Sequence, residues 1–228
     1  IQDGDGNVVS NNGVTNQTFN GIVVNLAAAT NRIVANSIRS NNFNGVLVNG
    51  SPSVDANFIA GNDIHGCGYQ DNGIEIDDCD QNVVSNNTVS GSSGEGIRTI
   101  NTASSNRIVD NVVYSNRRNG IRITNAAGDM NRIGGNSVYG PGQSNGIAVD
   151  DGDRNIITNN AVFRNLWSGI RLRLTASSNR IVGHRVFSNQ RHGVFITNGA
   201  APSPKYNAFV RNLVYANLRP GIRLTNGT

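Results

Sequence analysis

The sequence predicts an all-β fold, a single-stranded right-handed parallel β-helix of about nine coils with three short strands in each. Three observations lead to this prediction. The motif G-I-x-V returns every 23–28 residues, apolar residues alternate with polar ones in short segments, and asparagines recur at two fixed places in each repeat. Self-similarity at this period without a helical pattern is typical of a solenoid, in which each repeat buries its apolar side against its neighbours.

The repeat runs through the chain without a break, so residues 1–228 are interpreted as a single β-helix domain. The glycines that open the motif are Gly21, Gly45, Gly73, Gly96, Gly120, Gly146, Gly169, Gly193 and Gly221. Neither terminus carries an amphipathic helix that would cap the last coil. We therefore expect either a piece of a larger protein or ends that associate with other chains.

Each coil is expected to contain three strands. In one coil Ile121 and Ile123 point inward and Arg122 outward, and then Ile133 and Val138 point inward. This period of two in segments bounded by Gly, Asn and Ser predicts short strands. With a strand spacing of about 4.8 Å, the coils stack into a three-sided shaft about 40 Å long. Right-handed connections are expected because parallel crossovers are overwhelmingly right-handed.

Two asparagine series are expected at the bends. Stacked side-chain amides can bond the backbone of their own turn and the amides of neighbouring coils. The first series is Asn7, Asn31, Asn57, Asn82, Asn106, Asn131, Asn155, Asn179 and Asn207; the second is Asn12, Asn36, Asn62, Asn87, Asn111, Asn136 and Asn160, then His184, then Asn212. We interpret both series as structural ladders and His184 as a structural substitute for asparagine.

The cysteines and the hydropathy give little information about partners. Cys67 and Cys79 fall in turns of neighbouring coils, and a disulfide would require the turn from His65 to Asn72 to fold back. Two unpaired thiols are therefore favoured over a bridge. No apolar run is long enough to cross a bilayer, so no membrane span is expected.

The outward position of the G-I-x-V strand forms a charged row. Read along the chain, it is Val23, Leu47, Glu75, Arg98, Arg122, Ala148, Arg171, Phe195 and Arg223. Two acidic turns lie beside it, and they hold Asp77, Asp78 and Asp80 in one and Asp150, Asp151 and Asp153 in the other. The turns are three coils apart, about 14 Å, with Arg98 and Arg122 between them. We expect a groove for an extended polymer, with Arg98, Arg122, Arg171, Asp150, Asp151 and His192 as substrate-binding residues.

Three uses of the carboxylates remain open. Asp77, Asp78 and Glu75 are candidate catalytic groups for acid and base chemistry on a glycosidic bond. Asp77, Asp78 and Asp80 are a candidate Ca²⁺ site, and the ion would neutralise a uronate carboxylate. Alternatively, these aspartates are ordinary turn residues, since Asp is favoured in turns for backbone reasons.

The charge favours an anionic polysaccharide as partner. The formal net charge is +4, and it comes from 18 arginines and one lysine, Lys205, against 15 acidic residues. Arginine binds carboxylate or sulfate with two-point geometry and is always charged. Nucleic acid is disfavoured because the basic residues are not interleaved with aromatic stacking residues. His192, in the turn before Gly193, is a candidate base or a structural turn residue.

The repeats resemble the Asn-rich parallel β-helix repeats of the pectate-lyase-like superfamily over essentially the whole chain. R-H-G-V-F-I-T-N, from Arg191 to Asn198, looks most like the catalytic modules of mannuronan C5-epimerases. That resemblance implies a secreted enzyme that acts on polyuronate with Ca²⁺. The nearest stretch to the family motif Tyr-Gly-Phe-Asp-Pro-His runs from Asn72 to Asp77, and only Glu75 matches its acid.

A second resemblance is to polygalacturonases. Asp77-Asp78-Cys79 is similar to their Asp-Asp-Cys, and Gly120 to Ile123 is similar to the start of their Arg-Ile-Lys segment, with Thr124 in place of Lys. The first hypothesis is therefore an extracellular or cell-surface β-helix that acts on or binds an acidic polysaccharide as a lyase, hydrolase or epimerase. The second is a non-catalytic structural or glycan-binding segment of a surface, spike or adhesin protein.

Overall fold

The protein is a parallel β-helix with three sheets. The computed structural model describes residues 1–50, 55–124, 130–173, 175–197 and 206–225, and these form 27 strands in three sheets of nine. Each coil gives one strand to each sheet. Every strand pairs in parallel with its equivalents in the adjacent coils, as Ile97–Ile100 does with Ile74–Asp77 and Ile121–Thr124. The predicted architecture and coil count are confirmed.

The sheets are named by their order within a coil. The first sheet contains Val8–Ser10, Arg32–Val34, Phe58–Ala60, Val83–Ser85, Arg107–Val109, Arg132–Gly134, Ile156–Thr158, Arg180–Val182 and Ala208–Val210. The second sheet contains Gly13–Thr15, Ser37–Arg39, Asp63–His65, Thr88–Ser90, Val112–Tyr114, Ser137–Tyr139, Ala161–Phe163, Arg185–Phe187 and Leu213–Tyr215. The third sheet, which carries the G-I-x-V motif, contains Ile22–Asn25, Val46–Asn49, Ile74–Asp77, Ile97–Ile100, Ile121–Thr124, Ile147–Asp150, Ile170–Arg173, Val194–Thr197 and Ile222–Thr225.

The core is a column of isoleucine and valine. In the coil used above, Ile121, Ile123, Ile133 and Val138 are fully buried, and Arg122 is partly exposed on the outer surface. Removing these β-branched side chains from water stabilises the coil by about 2 kcal/mol per residue. Because the strands pair without a register shift, equivalent residues of successive coils lie directly above one another on both surfaces.

Both predicted asparagine ladders are present. In the first, the backbone N–H of each asparagine donates to the Oδ1 of the next, from Asn7 to Asn207, over 2.8–2.9 Å. The second ladder has the same geometry from Asn12 onward. It passes through His184, whose Nδ1 accepts from the N–H of Asn160 at 3.1 Å and whose N–H donates to Asn212.

Sequence reasoning missed two further stacks. A third amide ladder lies at the bend after the second sheet, where Asn165 donates to Asn189 and Asn189 to Asn217. An aromatic stack lies on the outer surface of the second sheet, with ring centroids 4.7–5.4 Å apart; it contains Tyr114, Tyr139, Phe163, Phe187 and Tyr215. The sequence signal for both was recurrence at a fixed position within the repeat.

The two cysteines are not bonded to each other. Cys67 is exposed and Cys79 is buried, and the Cys79 thiol donates to the carbonyl of Asp77 at 2.9 Å. Burial raises the pKa of the Cys79 thiol to about 12, so this group is not a nucleophile at neutral pH. In the part of the chain that the structure describes, no helix has the length and hydrophobicity to span a bilayer.

Candidate functional site

The outward surface of the third sheet carries a row of charges that we call the charged strip. Parallel register places Glu75, Arg98, Arg122, Ala148, Arg171, Phe195 and Arg223 in one line, one coil apart. A second line, two residues further along each strand, contains Asp77, Ile100, Thr124, Asp150, Arg173 and Thr197. The strip runs from an acidic end to a basic end, and Glu75 and Arg171 are about 19 Å apart at strand spacing.

The acidic end contains Glu75 and Asp77, two residues apart on one strand and on the same surface. Glu75 accepts from the Nδ2 of Asn72 at 2.7 Å and pairs with Arg98 at 3.4 Å. Burial raises the pKa of Glu75 above its ordinary value, and the charge of Arg98 opposes this shift. Burial also raises the pKa of Asp77, with the bond from Asn101 opposing it. Both carboxyls therefore hold a proton more readily than a solvated carboxyl does.

The middle of the strip is an internal ion-pair network. Arg122 contacts Glu95 at 3.1 Å and Asp150 at 3.1 Å, and both carboxylates are buried. The prediction that Arg98 and Arg122 lie between the two acidic turns on one surface is confirmed. Their guanidinium groups, however, pair with carboxylates of the protein. Their assignment to substrate stays a prediction.

Asp150 organises the start of the basic end. Its side chain has no exposed surface, and it accepts from Arg122, from Arg171 at 3.2 Å and from Arg173 at 2.8 Å. In this conformation its carboxylate contacts arginines, and a polymer on the surface would not reach it. Asp150 thus holds guanidinium groups in place, a role that its position in the sequence did not reveal.

The basic end is a concave pocket of about 370 Å³ on the outer surface of the last coils. Five arginines line it, and we call it the arginine pocket: Arg171, Arg173, Arg191, Arg219 and Arg223. Trp167, His192 and Phe195 are among the other lining residues. Of the predicted substrate-binding residues, Arg171 and His192 are brought together here.

Two of the pocket arginines lie over aromatic rings. The guanidinium carbon of Arg191 is 5.3 Å from the centre of the Trp167 ring, and that of Arg223 is 5.8 Å from the centre of the Phe195 ring. Within the described residues, Arg191, Arg219 and Arg223 have no carboxylate within ion-pair distance. A guanidinium that stacks by its face leaves its N–H edge free to bind an anion.

His192 lines the pocket and is buried. Burial lowers its pKa, and the charges of Arg223, Arg219 and Arg191 lower it further. The imidazole is consequently neutral at neutral pH. Its ring also packs against Phe195, with centroids 5.0 Å apart.

The remaining predicted acidic residues bond to the next coil. Asp78 accepts from the N–H and hydroxyl of Thr102, Asp80 from the N–H of Ser104, and Asp151 from the N–H and hydroxyl of Thr175. No group of three or more His, Cys, Asp or Glu side chains within the described ranges is arranged to hold a metal ion. The Ca²⁺ site at Asp77, Asp78 and Asp80 therefore stays a prediction, without geometric support from these residues.

Sequence reasoning did not select Arg191 and Arg219. Both stand two residues before a G-I-x-V glycine, in the same turn position as Trp167, and their backbones bond in register. Aligning that turn position along the chain would have shown Trp167, Arg191 and Arg219 as neighbours.

Two family models match the sequence. The model of the right-handed β-helix region matches residues 1–144, and the model described as periplasmic copper-binding protein (NosD) matches residues 112–228. The first supports the predicted handedness. No curated protein gives a significant match to the sequence.

Several solved structures have a similar fold. The A-module of the Azotobacter vinelandii mannuronan C-5 epimerase AlgE4 has a TM-score of 0.81 and 14% identity, over 96% of this chain and 62% of its own. The periplasmic alginate epimerase AlgG has a TM-score of 0.69 and 15% identity, over 88% and 51%. The enzymatically active domain of tailspike protein 2 of bacteriophage CBA120 has a TM-score of 0.68 and 14% identity, over 86% and 32%. At these identities the similarity shows a shared fold.

The chain spans about half to three-fifths of the length of the epimerase structures that it matches. By name, these structural neighbours are epimerases of alginate and of mannuronan.

Copper does not fit the residues of the segment that matches the NosD model. Among His, Cys and Met, that segment contains only Met130, His184 and His192. Copper takes imidazole, thiolate and thioether ligands, and a site needs several that converge. Both ring nitrogens of His184 are occupied in the second ladder, and Met130 and His192 lie before different sheets of different coils. We derive no copper chemistry for this chain.

Proposed function

We propose that the chain, which belongs to the right-handed β-helix family, binds an acidic polysaccharide on the outward surface of the third sheet. The observation that carries the proposal is the arginine pocket, where five guanidinium groups line one concave surface and no carboxylate stands among the described lining residues. The buried Asp150, beneath this surface, pairs with two of the five, Arg171 and Arg173. Such a surplus of fixed positive charge favours an anionic ligand. The epimerase neighbours, which are named for mannuronan and alginate, support the polymer class.

The pocket has the chemistry of a glycan site as well as its charge. Trp167 is about two-fifths exposed at the rim, and an aromatic face can pack on a sugar ring. Arg171 and Arg173 are held by Asp150, and Arg191 and Arg223 by aromatic rings. Because these groups are already ordered, less conformational entropy is lost when a polymer binds.

The test is binding of soluble polygalacturonate and dextran sulfate, with neutral dextran as the ligand control. We expect the triple variant Arg191→Gln, Arg219→Gln, Arg223→Gln to lose at least about tenfold in affinity for both polyanions. The matched control is Arg32→Gln, Arg107→Gln, Arg185→Gln, which removes the same charge from the first and second sheets. Equal losses in the two variants would mean that binding reflects net charge alone, against the proposed site.

A second candidate function is acid–base chemistry on the bound polymer, with Glu75 and Asp77 as the reacting groups. The specific observation is that burial raises the pKa of both carboxyls while Arg98 lies beside Glu75. A carboxyl with a raised pKa is suited to donate a proton, and Arg98 is placed to bind a sugar carboxylate. This candidate retains the lyase, hydrolase and epimerase alternatives.

That candidate is tested by incubation with a panel of polyuronates, with and without Ca²⁺, following unsaturated products, new reducing ends and, by NMR, sugar configuration. Product that is lost in Glu75→Gln and Asp77→Asn but kept in Asp63→Asn would support it. If no product forms from any polymer that binds, the chain is a glycan-binding shaft, the non-catalytic alternative. We also propose a location outside the cytoplasm, as for periplasmic AlgG.

A further inference from the structure

The arginine pocket presents its guanidinium groups from three directions. Arg191 and Arg219 stand in successive turns before the third sheet, and the N–H of Arg219 bonds to the carbonyl of Arg191 at 3.1 Å. Arg223 belongs to the second-position row of the strands, next to Phe195. Arg173 belongs to the fourth-position row, next to Asp150. The pocket thus has arginines along the turn wall and along two rows of the sheet.

Each of four guanidinium groups has a structural contact that leaves part of its N–H edge without a partner among the residues that the structure describes. Asp150 accepts from the Nε of Arg173 and from one terminal nitrogen of Arg171. Arg191 and Arg223 are held through their faces by Trp167 and Phe195. The Nε of Arg171 is buried and has no hydrogen-bond partner among the described residues.

The charges also do not balance inside the network. Glu95 and Asp150 are two buried carboxylates, and they face the three guanidinium groups of Arg122, Arg171 and Arg173. Burial lowers the pKa of Arg171, which shows that its charge is poorly solvated, and Asp150 offsets only part of that cost. An anion bound in the pocket would balance the remaining positive charge.

A carboxylate and a sulfate or phosphate monoester make different hydrogen bonds in such a pocket. A carboxylate has two oxygens in one plane, and one arginine fork satisfies them. A sulfate or phosphate monoester has three terminal oxygens that point in three directions. A pocket with guanidinium edges on three sides gives the third oxygen a partner, and one additional charge-assisted hydrogen bond strengthens binding by about tenfold.

We propose that the arginine pocket recognises a monoester with three terminal oxygens, a sulfate or phosphate group carried by a sugar, in preference to a sugar carboxylate. The inference rests on the proposed glycan-binding function and narrows its ligand. Trp167 lies where the sugar ring that carries the ester would pack.

The test uses four compounds that differ only in the group at carbon 6: glucose 6-sulfate, glucose 6-phosphate, glucuronate and glucose. Trp167 is the only tryptophan of the sequence, so its fluorescence reports on this pocket alone, and calorimetry gives an independent affinity. We expect both esters to bind about tenfold more tightly than glucuronate, and glucose not to bind. Glucuronate binding as tightly as the esters, or no saturable binding of either ester, would overturn the inference.

Two variants test the geometry separately from the charge. Arg191→Lys and Arg223→Lys keep the positive charge but lose the planar fork. Each should reduce the preference for esters over glucuronate to below about threefold, whereas Arg185→Lys, over Phe187 on the second sheet, should leave it unchanged. An unchanged preference in both pocket variants would also count against the inference.

Two further arms identify the ester and separate this inference from the proposed function. At pH 5 a phosphate monoester has lost most of its second charge and carries nearly the same charge as a sulfate ester, so the ester that binds more tightly at pH 5 is the one that the pocket's geometry prefers. If polygalacturonate and dextran sulfate bind equally well through the arginine pocket, the proposed function stands and the ester preference fails. If neither polymer binds, the proposed function itself fails.

Discussion

His184 shows how one residue type can take the structural role of another. Its Nδ1 accepts from a backbone N–H, so the ring proton is on Nε2, which donates to the carbonyl of Ile157 at 2.9 Å. Asn160 makes the equivalent bond through its Nδ2, to Ile133. A neutral imidazole therefore supplies the same acceptor and donor as an asparagine amide. The ladder continues through His184 only while the ring is neutral.

This role predicts a loss of stability in acid. Burial lowers the pKa of His184 to about 4, below the ordinary value of 6.5. The unfolded state binds the proton first, so the contribution of His184 is complete above pH 6.5 and is lost as the pH falls towards 4. The loss amounts to about 3 kcal/mol. His184→Asn should remove this part of the pH dependence, measured by urea unfolding at pH 7, 5.5 and 4. Parallel curves for the variant and the original protein would contradict the assignment.

Glu75 predicts the opposite pH dependence. Because burial raises its pKa, the folded state holds the proton more tightly than the unfolded state does. Its ionisation therefore costs stability as the pH rises through the raised pKa. Glu75→Gln should gain stability relative to the original protein between pH 4 and pH 7, measured as the difference in Tm. A difference that is constant with pH would show that Arg98 compensates the charge fully.

At the scale of elements, equivalent residues of successive strands form rows, so a contact made in one coil is repeated in the next. The parallel register places like residues above one another, and like charges directly opposite are destabilising. The third sheet avoids this at its centre, where Arg122 and Arg171 flank Ala148 and converge on Asp150. Ala148 thus separates Arg122 from Arg171 along the row, and Asp150 is the carboxylate that both arginines share.

Asp150→Asn should destabilise the protein by about 3 kcal/mol, because it leaves three guanidinium groups without their shared carboxylate. The matched control is Asp63→Asn, which breaks the exposed ion pair with Arg39 and should cost less than about 1 kcal/mol. Chemical denaturation measures both. Equal losses would show that the buried network is no stronger than a surface pair.

The asparagine ladders are the second kind of array. Asn111 accepts from the backbone and side chain of Asn87, and its Nδ2 donates to Val84, Val109 and Asn136. Each ladder residue therefore connects three coils and satisfies backbone groups at a bend where no strand pairs. This is why the position is restricted to a small amide or its imidazole equivalent.

Asn111→Ala should cost about 3 kcal/mol, since it removes these bonds and leaves buried polar groups unpaired. Asn12→Ala, in the exposed first member of the same ladder, should cost less than about 1 kcal/mol. Thermal and urea unfolding of the two variants give the comparison. A similar cost at both positions would mean that the ladder contributes through the turn conformation of each coil and not through contacts between coils.

At the scale of the whole molecule, the charged strip is bipolar. Glu75 and Asp77 form one end, and the arginine pocket forms the other, about 19 Å further along the shaft. A polyanion is repelled by the first and attracted by the second. The proposed ligand therefore binds at the basic end, and any chemistry at Glu75 requires the polymer to extend along the strip.

Hydrogen exchange of the protein, with and without dextran sulfate, measures where along the charged strip the polymer binds. We expect added protection in the turns and strands from Trp167 to Arg223, and none from Asp71 to Arg98. The protection should disappear at 1 M salt, where the screening length falls to about 3 Å. Uniform protection along the third sheet would contradict a bipolar strip.

The sequence by itself determined the coil, the three sheets, the two main ladders and the residues that share the third sheet's surface. These follow from local periodicity, because in a solenoid each residue contacts its equivalents one repeat away, and alignment of the repeats is already a contact map. The same property makes the third ladder and the row of Trp167, Arg191 and Arg219 readable from the sequence in principle, because each recurs at one position of the repeat.

Only the tertiary structure decided which charged side chains are free to bind a ligand and which are paired within the protein. Asp150 and Arg171 occupy the same kind of outward position in the sequence, yet one is fully buried beneath arginines and the other lines the pocket. Turn aspartates such as Asp78 and Asp151 bond to the next coil, to Thr102 and Thr175, a use that their positions in the sequence did not reveal. Periodicity fixes the row in which a side chain stands. The partner with which that side chain pairs depends on side-chain length, on the local shape of the turns and on which charged neighbour lies within reach. Packing between coils determines all three.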